Sequence, residues 1–311
     1  MAQPAQNVFH ALDQALASAV ATAGPSVAHV SRGHGSAGTG IVWATDLVVS
    51  SSFHTPDRTK LGIAAPDGEG GDASDVSELD YRDAEVIGRD PGTDVALLRV
   101  AGGGLTPATF RDIGELAVGN LALALGRPGR TVRAQLRAIG VLGPSIRTPH
   151  GGKLDRYIES DRQIPRGFAG GPLVDADGAV IGMNTRTLLR GADVAIPTAT
   201  LRRVVGELAA HGGVRRGYLG VGAFPAQLSA VVAQLVGRDR GALVANVEDG
   251  SPAAVAGVIA GDIIAEVAGA PVPGPEALRL ALGDRPGETV ALTVVRGGAK
   301  LALSVVLGSK P

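Results

Sequence analysis

The chain of 311 residues contains no cysteine, and Phe, Trp and Tyr together make up 3% of it. Without thiols there is no disulfide framework, no thiolate nucleophile and no cysteine metal site. With so few aromatics, aliphatic side chains must fill the core, and a hydrophobic content of 45% allows this. Neither sign of charge dominates: 29 basic against 30 acidic residues leave a net charge of −1, so no basic field recruits nucleic acid. No apolar run approaches the roughly 18 residues that span a bilayer. The N-terminal stretch MAQPAQNVFHALDQALASAVATAG lacks the basic n-region and compact apolar core of a secretory signal. Taken at face value it predicts a cytoplasmic location. A chain trimmed of its leader would look the same and would be periplasmic or secreted. His10, His29, His34, His150 and His211 are scattered without metal-ligand spacing, and the Gly-rich stretch Gly33–Gly40 lacks the Lys-Ser/Thr of a phosphate loop. Neither a metal nor a cofactor is expected.

What the chain does have is turns. Gly 46 and Pro 19 punctuate many short β-rich runs. After an opening helix with Val8, Leu12, Leu16 and Val20 on one face, a first strand is expected from Pro25 to Val30. Further strands are expected at Ile41–Trp43, Leu47–Val49, Lys60–Ala64, Ala84–Ile87, Val95–Val100, Leu121–Leu125 and Leu136–Leu142. Tyr157–Glu159, Leu173–Val174, Val180–Asn184 and Asp193–Ile196 complete the set. Such a series argues for a sandwich or barrel. The acidic, Gly-rich segment Pro66–Asp80 is expected to be a mobile surface loop. Residues Ala199–His211 change to helical spacing and stop at Gly212-Gly213. A second β-rich block then begins, with strands at Ala242–Val247, Ile263–Val267, Thr289–Arg296 and Lys300–Leu307 and short helices at Ala226–Leu235 and Pro275–Leu282. The expected division is residues 1–24 as an amphipathic helix, 25–213 as the first domain and 214–311 as the second.

The most specific string is Arg166-Gly-Phe-Ala-Gly-Gly-Pro-Leu-Val174, followed at once by Asp175-Ala-Asp-Gly-Ala-Val-Ile-Gly-Met-Asn184. It resembles the nucleophile loop G-x-S-G-G-P-L of trypsin-like serine proteases and the hairpin that follows it in HtrA proteins. Ala169 stands where the serine belongs. Gly88-Arg-Asp-Pro-Gly-Thr-Asp-Val-Ala-Leu-Leu-Arg-Val100 resembles the HtrA segment that bears the triad aspartate, which places Asp94 there. The histidine position has two candidates in Leu47-Val-Val-Ser-Ser-Ser-Phe-His-Thr55. Matching the end of the strand puts Phe53 there without an insertion and is the simpler alignment; matching by identity puts His54 there.

The second block resembles a PDZ domain. Tyr218-Leu-Gly-Val221 takes the place of its carboxylate-binding loop, Gly250-Ser-Pro-Ala-Ala-Val-Ala-Gly257 and Ala260-Gly-Asp-Ile-Ile264 resemble its signatures, and Leu278 and Ala281 are expected to line the groove. The resemblance covers nearly the whole chain. It implies a mainly β protein, a chymotrypsin/trypsin-like double β-barrel followed by a PDZ domain, in which the N–H groups of Gly167 and Ala169 form an oxyanion hole. Acyl transfer needs the serine Oγ, which Ala169 lacks. The implied function is therefore catalytically inactive binding of polypeptides or protein C-termini, as adaptor, scaffold or chaperone, with a trimer as the family's assembly. The alternative is a serine endopeptidase whose nucleophile has been replaced by Ala169. Two departures from the triad argue for natural inactivity, since a deliberate knock-out needs only one.

Overall fold

The computed structural model describes residues 8–31, 37–55, 58–63, 79–189, 192–283 and 285–310. The chain divides into two compact units between Val214 and Arg215. This is one residue beyond the expected boundary, because Val214 is buried in the core of the first unit.

The first unit opens with helix α1 (Val8–Ala23) and a 3₁₀ turn at Gly24–Ser26, which delays the first strand to β1 (Val27–Ser31). Then come β2 (Ala37–Ala44), β3 (Leu47–Ser51), β4 (Arg58–Ile63), β5 (Asp80–Asp90) and β6 (Val95–Val100), which close an antiparallel barrel in the order β1-β2-β3-β6-β5-β4. A second barrel follows from β7 (Leu121–Gly126) and β8 (Arg133–Gly143). A small hairpin, β9 (Ile146–Arg147) and β10 (Lys153–Leu154), separates these from β11 (Tyr157–Ser160), β12 (Pro172–Val174), β13 (Val180–Leu189) and β14 (Ala192–Pro197). Its order is β11-β14-β13-β12-β7-β8. Closure leaves no unpaired edge, so short strands suffice.

Helix α2 (Thr198–His211) buries Leu201, Val204, Val205 and Leu208, the helical spacing seen in the sequence, against β5, β6 and β13. It stops at Gly212, whose φ of 71° is left-handed and whose N–H bonds the Leu208 carbonyl. A Cβ on Gly88 would lie 2.3 Å from the Gly212 carbonyl oxygen, so the strand can pass beneath the helix end only as glycine. On α1 the expected apolar stripe is half used. Leu16, Ala19, Val20 and Ala23 pack on the core, while Val8 and Leu12 are exposed. The helix docks where its Ala19 carbonyl meets the turn at Gly178 and runs past the core beyond that point.

The second unit contains β15 (Arg216–Tyr218), β16 (Val221–Gln227), α3 (Ala230–Val236), β17 (Arg240–Val247), α4 (Pro252–Val255), β18 (Ile263–Val267) and β19 (Ala270–Pro271). It ends with α5 (Pro275–Leu282), β20 (Thr289–Arg296), β21 (Ala299–Val306) and β22 (Gly308–Lys310). The main sheet runs β16-β17-β18-β20-β21, which puts β16 at an edge, and β15 pairs with β22. The helix expected at Ala226–Leu235 begins at Ala230 instead. Ala226 and Gln227 complete β16, and the Ser229 hydroxyl caps the helix by accepting from the Val232 N–H. The expected mobile loop lies outside the described residues from Pro66 to residue 78. So do residues 33–36 of the Gly-rich stretch, whose Gly38, Thr39 and Gly40 are part of β2.

Candidate active-site cleft and peptide-binding edge

Asp94 ends the tight turn between β5 and β6. The side chain of Asp90 builds that turn by accepting from the Gly92 N–H and the Thr93 hydroxyl. Asp94 itself has φ 58°, a left-handed conformation that a non-glycine residue rarely adopts and that costs on the order of 1–3 kcal/mol. The turn thereby buries its carboxylate completely. That carboxylate accepts from the Ser51 hydroxyl (2.8 and 2.9 Å to its two oxygens), from the Phe53 N–H (3.0 Å) and from the Thr185 hydroxyl. Burial pushes the carboxyl above the usual carboxylate range, against the opposing pull of these donors and of nearby His54.

Residues Ser52–His54 form a 3₁₀ turn after β3. It brings the His54 imidazole to Ser51, with Nδ1 2.9 Å from Oγ. Since the Ser51 proton goes to Asp94, Oγ is the acceptor for His54, and His54 carries a proton on Nδ1. His54, Ser51 and Asp94 thus form one hydrogen-bonded chain. Phe53 contributes its amide to Asp94, while its ring turns outward, 40% exposed, with its centroid 5.3 Å from that of His150. The β9–β10 hairpin that carries His150 is seated on the Asp94 turn by the Thr148 hydroxyl, which donates to the Gly92 carbonyl at 2.6 Å.

The nucleophile-like turn is clamped between the two barrels. Thr39 of β2 donates its hydroxyl to the Gly167 carbonyl at 2.6 Å, accepts from the Arg127 N–H at 2.8 Å, and gives its own N–H to the Ala169 carbonyl. Gly167 and Gly170 both have φ 84°. A Cβ on Gly170 would lie 2.3 Å from the Thr39 carbonyl oxygen, which explains the glycine there. The Gly170 N–H bonds Asn184, and the Asn184 N–H bonds Gly171 in return. Among the described residues, the N–H groups of Gly167 and Ala169 have no hydrogen-bond partner. A Cβ on Gly38 would lie 3.9 Å from the Ala169 carbonyl and 4.0 Å from the His54 Cβ, so both residues flank one point of β2.

Upstream, the buried guanidinium of Arg137 donates to the carbonyls of Arg162 and Gln163 and holds the segment that leads into the turn. Burial pulls its pKa down. On the other side, His29 is buried with Nδ1 donating to the Arg127 carbonyl at 2.9 Å. Burial lowers its pKa first of all, and the Arg127 charge adds to this. Ser51, Thr185, Thr39 and Arg137 were not singled out by the sequence, since no motif sets a lone hydroxyl or a buried arginine apart from its neighbours.

In the second unit, the Tyr218 hydroxyl donates to the Glu248 carboxylate, and this bond raises the phenol pKa. The Leu219 carbonyl accepts from Ala253 and the Gly220 carbonyl from Glu248, both at 2.9 Å. With these carbonyls drawn inward, the Leu219 and Gly220 N–H groups have no partner among the described residues. Gly220 has φ 83°, and a Cβ there would fall 2.2 Å from that of Ser251. Val221 begins the edge strand β16. Leu278, buried, and Ala281, half-buried, pack from α5 into the same core. Among the described residues no cluster of His, Asp or Glu is arranged to hold a metal, and no helix is long and apolar enough to cross a membrane.

Two six-stranded barrels followed by a sheet with this edge strand and flanking helix define a trypsin-like domain joined to a PDZ domain. Residues 38–183 match the trypsin-like peptidase domain and residues 217–307 the PDZ domain. The probable periplasmic serine endoprotease DegP-like of Brucella suis is 32% identical over 286 residues, covering 88% of this chain and 53% of the relative. The periplasmic serine endoprotease DegP of Salmonella typhimurium is 33% identical over 236 residues, 72% of this chain and 49% of the relative. The chain spans about half the length of these curated relatives. The serine endoprotease from Yersinia pestis shares the fold with a TM-score of 0.66 at 23% identity, over 95% of this chain and 98% of that one. The HtrA-type protease AlgW with tripeptide gives 0.61 at 26% identity, over 95% and 97%. The chain belongs to the HtrA family of trypsin-fold serine proteases with a C-terminal PDZ domain.

Proposed function

We propose that this chain is a non-cleaving HtrA protein that binds polypeptides and protein C-termini as an adaptor, scaffold or chaperone. The observation that carries the reading is Ala169. A methyl group stands at the nucleophile position of a turn whose Gly167 and Ala169 amides remain unengaged among the described residues. A methyl group cannot attack a carbonyl, and without the triad serine only the residual catalysis of binding and the oxyanion hole remains. Those two amides are suited to holding a peptide carbonyl or carboxylate. In the PDZ domain, the Leu219 and Gly220 amides capture a terminal carboxylate, and β16 pairs with the chain that precedes it. Tyr218, Val221, Leu278 and Ala281 complete that site.

The second reading is a serine endopeptidase whose nucleophile has been replaced. Two things favour it: the His54–Ser51–Asp94 chain, which retains an imidazole beside the turn, and relatives named as serine endoproteases. In this reading His54 is the base and Asp94 its orienting carboxylate. The names of those relatives also support a periplasmic location over the cytoplasmic one expected from the N-terminus. Assembly is proposed as a homotrimer, after the family resemblance. Casein and fluorogenic-peptide cleavage by the chain and by Ala169→Ser test the choice. The first reading requires that neither protein cuts while both stay folded, and cutting by the serine variant establishes the second.

A further inference from the structure

Strand β16 carries a proline in its middle, at the sheet edge where a ligand strand would add. Its ladder with β17 runs without interruption from Ala223↔Val244 through Pro225↔Ala242 to Gln227↔Arg240. A proline fits such a ladder where its ring nitrogen faces away from the partner strand. The Pro225 nitrogen therefore faces the open edge. Main-chain groups alternate along an antiparallel strand, so Ala223 presents both its N–H and its carbonyl to that edge, and Pro225 presents a carbonyl alone.

The same residue lies next to the start of α5. The Pro225 Cβ lies 3.9 Å from the place a Cβ on Gly274 would take, at the start of α5. At the other end of the helix, the Gly217 N–H bonds the Gly283 carbonyl at 2.8 Å, beside the 218–221 loop. The stretch of β16 between the loop and Pro225 is about 13 Å long at ~3.3 Å per residue, room for about four extended ligand residues.

We infer that Pro225 ends the ligand's ladder. Of a carboxyl terminus bound here, only the last three or four residues then pair in full with β16; the next residue upstream finds no N–H at Pro225 and keeps at most a bond from its own N–H to the Pro225 carbonyl. This rests on the peptide-binding reading above and sets how many ligand residues the strand pairs with.

An array of decapeptides with free carboxyl ends, randomised at the last three positions, selects the probe. Calorimetry on the full chain then compares that decapeptide, its N-acetylated C-terminal tetrapeptide and its C-terminal amide. The expected result is that decapeptide and tetrapeptide bind within about threefold of each other and the amide at least about tenfold more weakly. In Pro225→Val the restored N–H gives the decapeptide an advantage of about three- to tenfold over the tetrapeptide. A wild-type decapeptide that binds more than about tenfold tighter than its tetrapeptide overturns the proposal, and this comparison stands even if the variant does not fold. Equal affinities in a folded Pro225→Val overturn Pro225 as the cause. If no peptide in the array binds, the peptide-binding reading itself fails and this inference falls with it.

Discussion

Ser51 donates its hydroxyl to the carboxylate of Asp94 at 2.8 Å, and this hydroxyl stands between that carboxylate and the His54 imidazole. The His54 imidazole comes next in line, at 2.9 Å from the same oxygen. An imidazole oriented through a hydroxyl is still oriented, but its partner is neutral.

This arrangement sets the outcome of restoring the nucleophile. If Ala169→Ser yields a protease, its activity depends on the Ser51 relay, and adding Ser51→Ala lowers kcat/KM by about 10²–10⁴-fold, the range for a disabled general base. An Ala169→Ser protein that cuts as well without the Ser51 hydroxyl would show that His54 reaches Asp94 by another route. Initial rates on a fluorogenic peptide make the comparison.

His29 gives the first unit a pH dependence with a defined sign. Burial holds its pKa below the ordinary 6.5. A group whose pKa is depressed in the folded state contributes stability that is present above its unfolded pKa. That stability is lost as pH falls below 6.5 toward the folded value. Urea midpoints between pH 8 and pH 5 should fall for the wild type, with a slope of up to about 1.4 kcal/mol per pH unit from this residue. His29→Gln should flatten that part of the curve, and an unchanged curve would remove His29 as its origin.

Thr39 ties the nucleophile-like turn to the first barrel through one hydroxyl with two partners, Gly167 and Arg127. Thr39→Val keeps the shape and leaves a buried carbonyl and a buried N–H unsatisfied. It should cost about 1–3 kcal/mol in chemical denaturation. Loss of less than half a kcal/mol, about the effect of a surface change, would show that water replaces the hydroxyl.

Gly220 is expected to be intolerant of any side chain. Its φ of 83° costs an L-residue roughly 1–2 kcal/mol, and a Cβ would meet Ser251 at 2.2 Å. Gly220→Ala should therefore displace the 218–221 loop and weaken binding of C-terminal peptides by more than about tenfold. Calorimetry with a free-carboxyl peptide measures it. Wild-type affinity in the variant would mean that the loop amides do not hold the carboxylate.

Much of this architecture was legible in the chain. The strands at Leu47, Val95, Leu121 and Tyr157, and α2 with its glycine stop, follow from periodicity and turn residues, which are local properties. The nucleophile-like turn was legible because its glycines are demanded by close backbone approaches, as at Gly170 against Thr39. The β9–β10 hairpin and the two-stranded β15–β22 pair were not, since two or three residues carry no readable period. Helix α3 was expected too early because its start is set by the Ser229 cap and by the claim of β17 on Ala226 and Gln227.

The absence of a nucleophilic oxygen at residue 169 is a matter of covalent identity, and the sequence by itself determines it. Which neighbour approaches Asp94 is different. Phe53 and His54 are adjacent, and no periodicity extends through a 3₁₀ turn, so local pattern cannot say which side chain turns inward. That was decided by the burial of Asp94. Its carboxylate takes the nearest donors that the two barrels bring to it, the Ser51 and Thr185 hydroxyls and the Phe53 amide, from segments far apart in the chain.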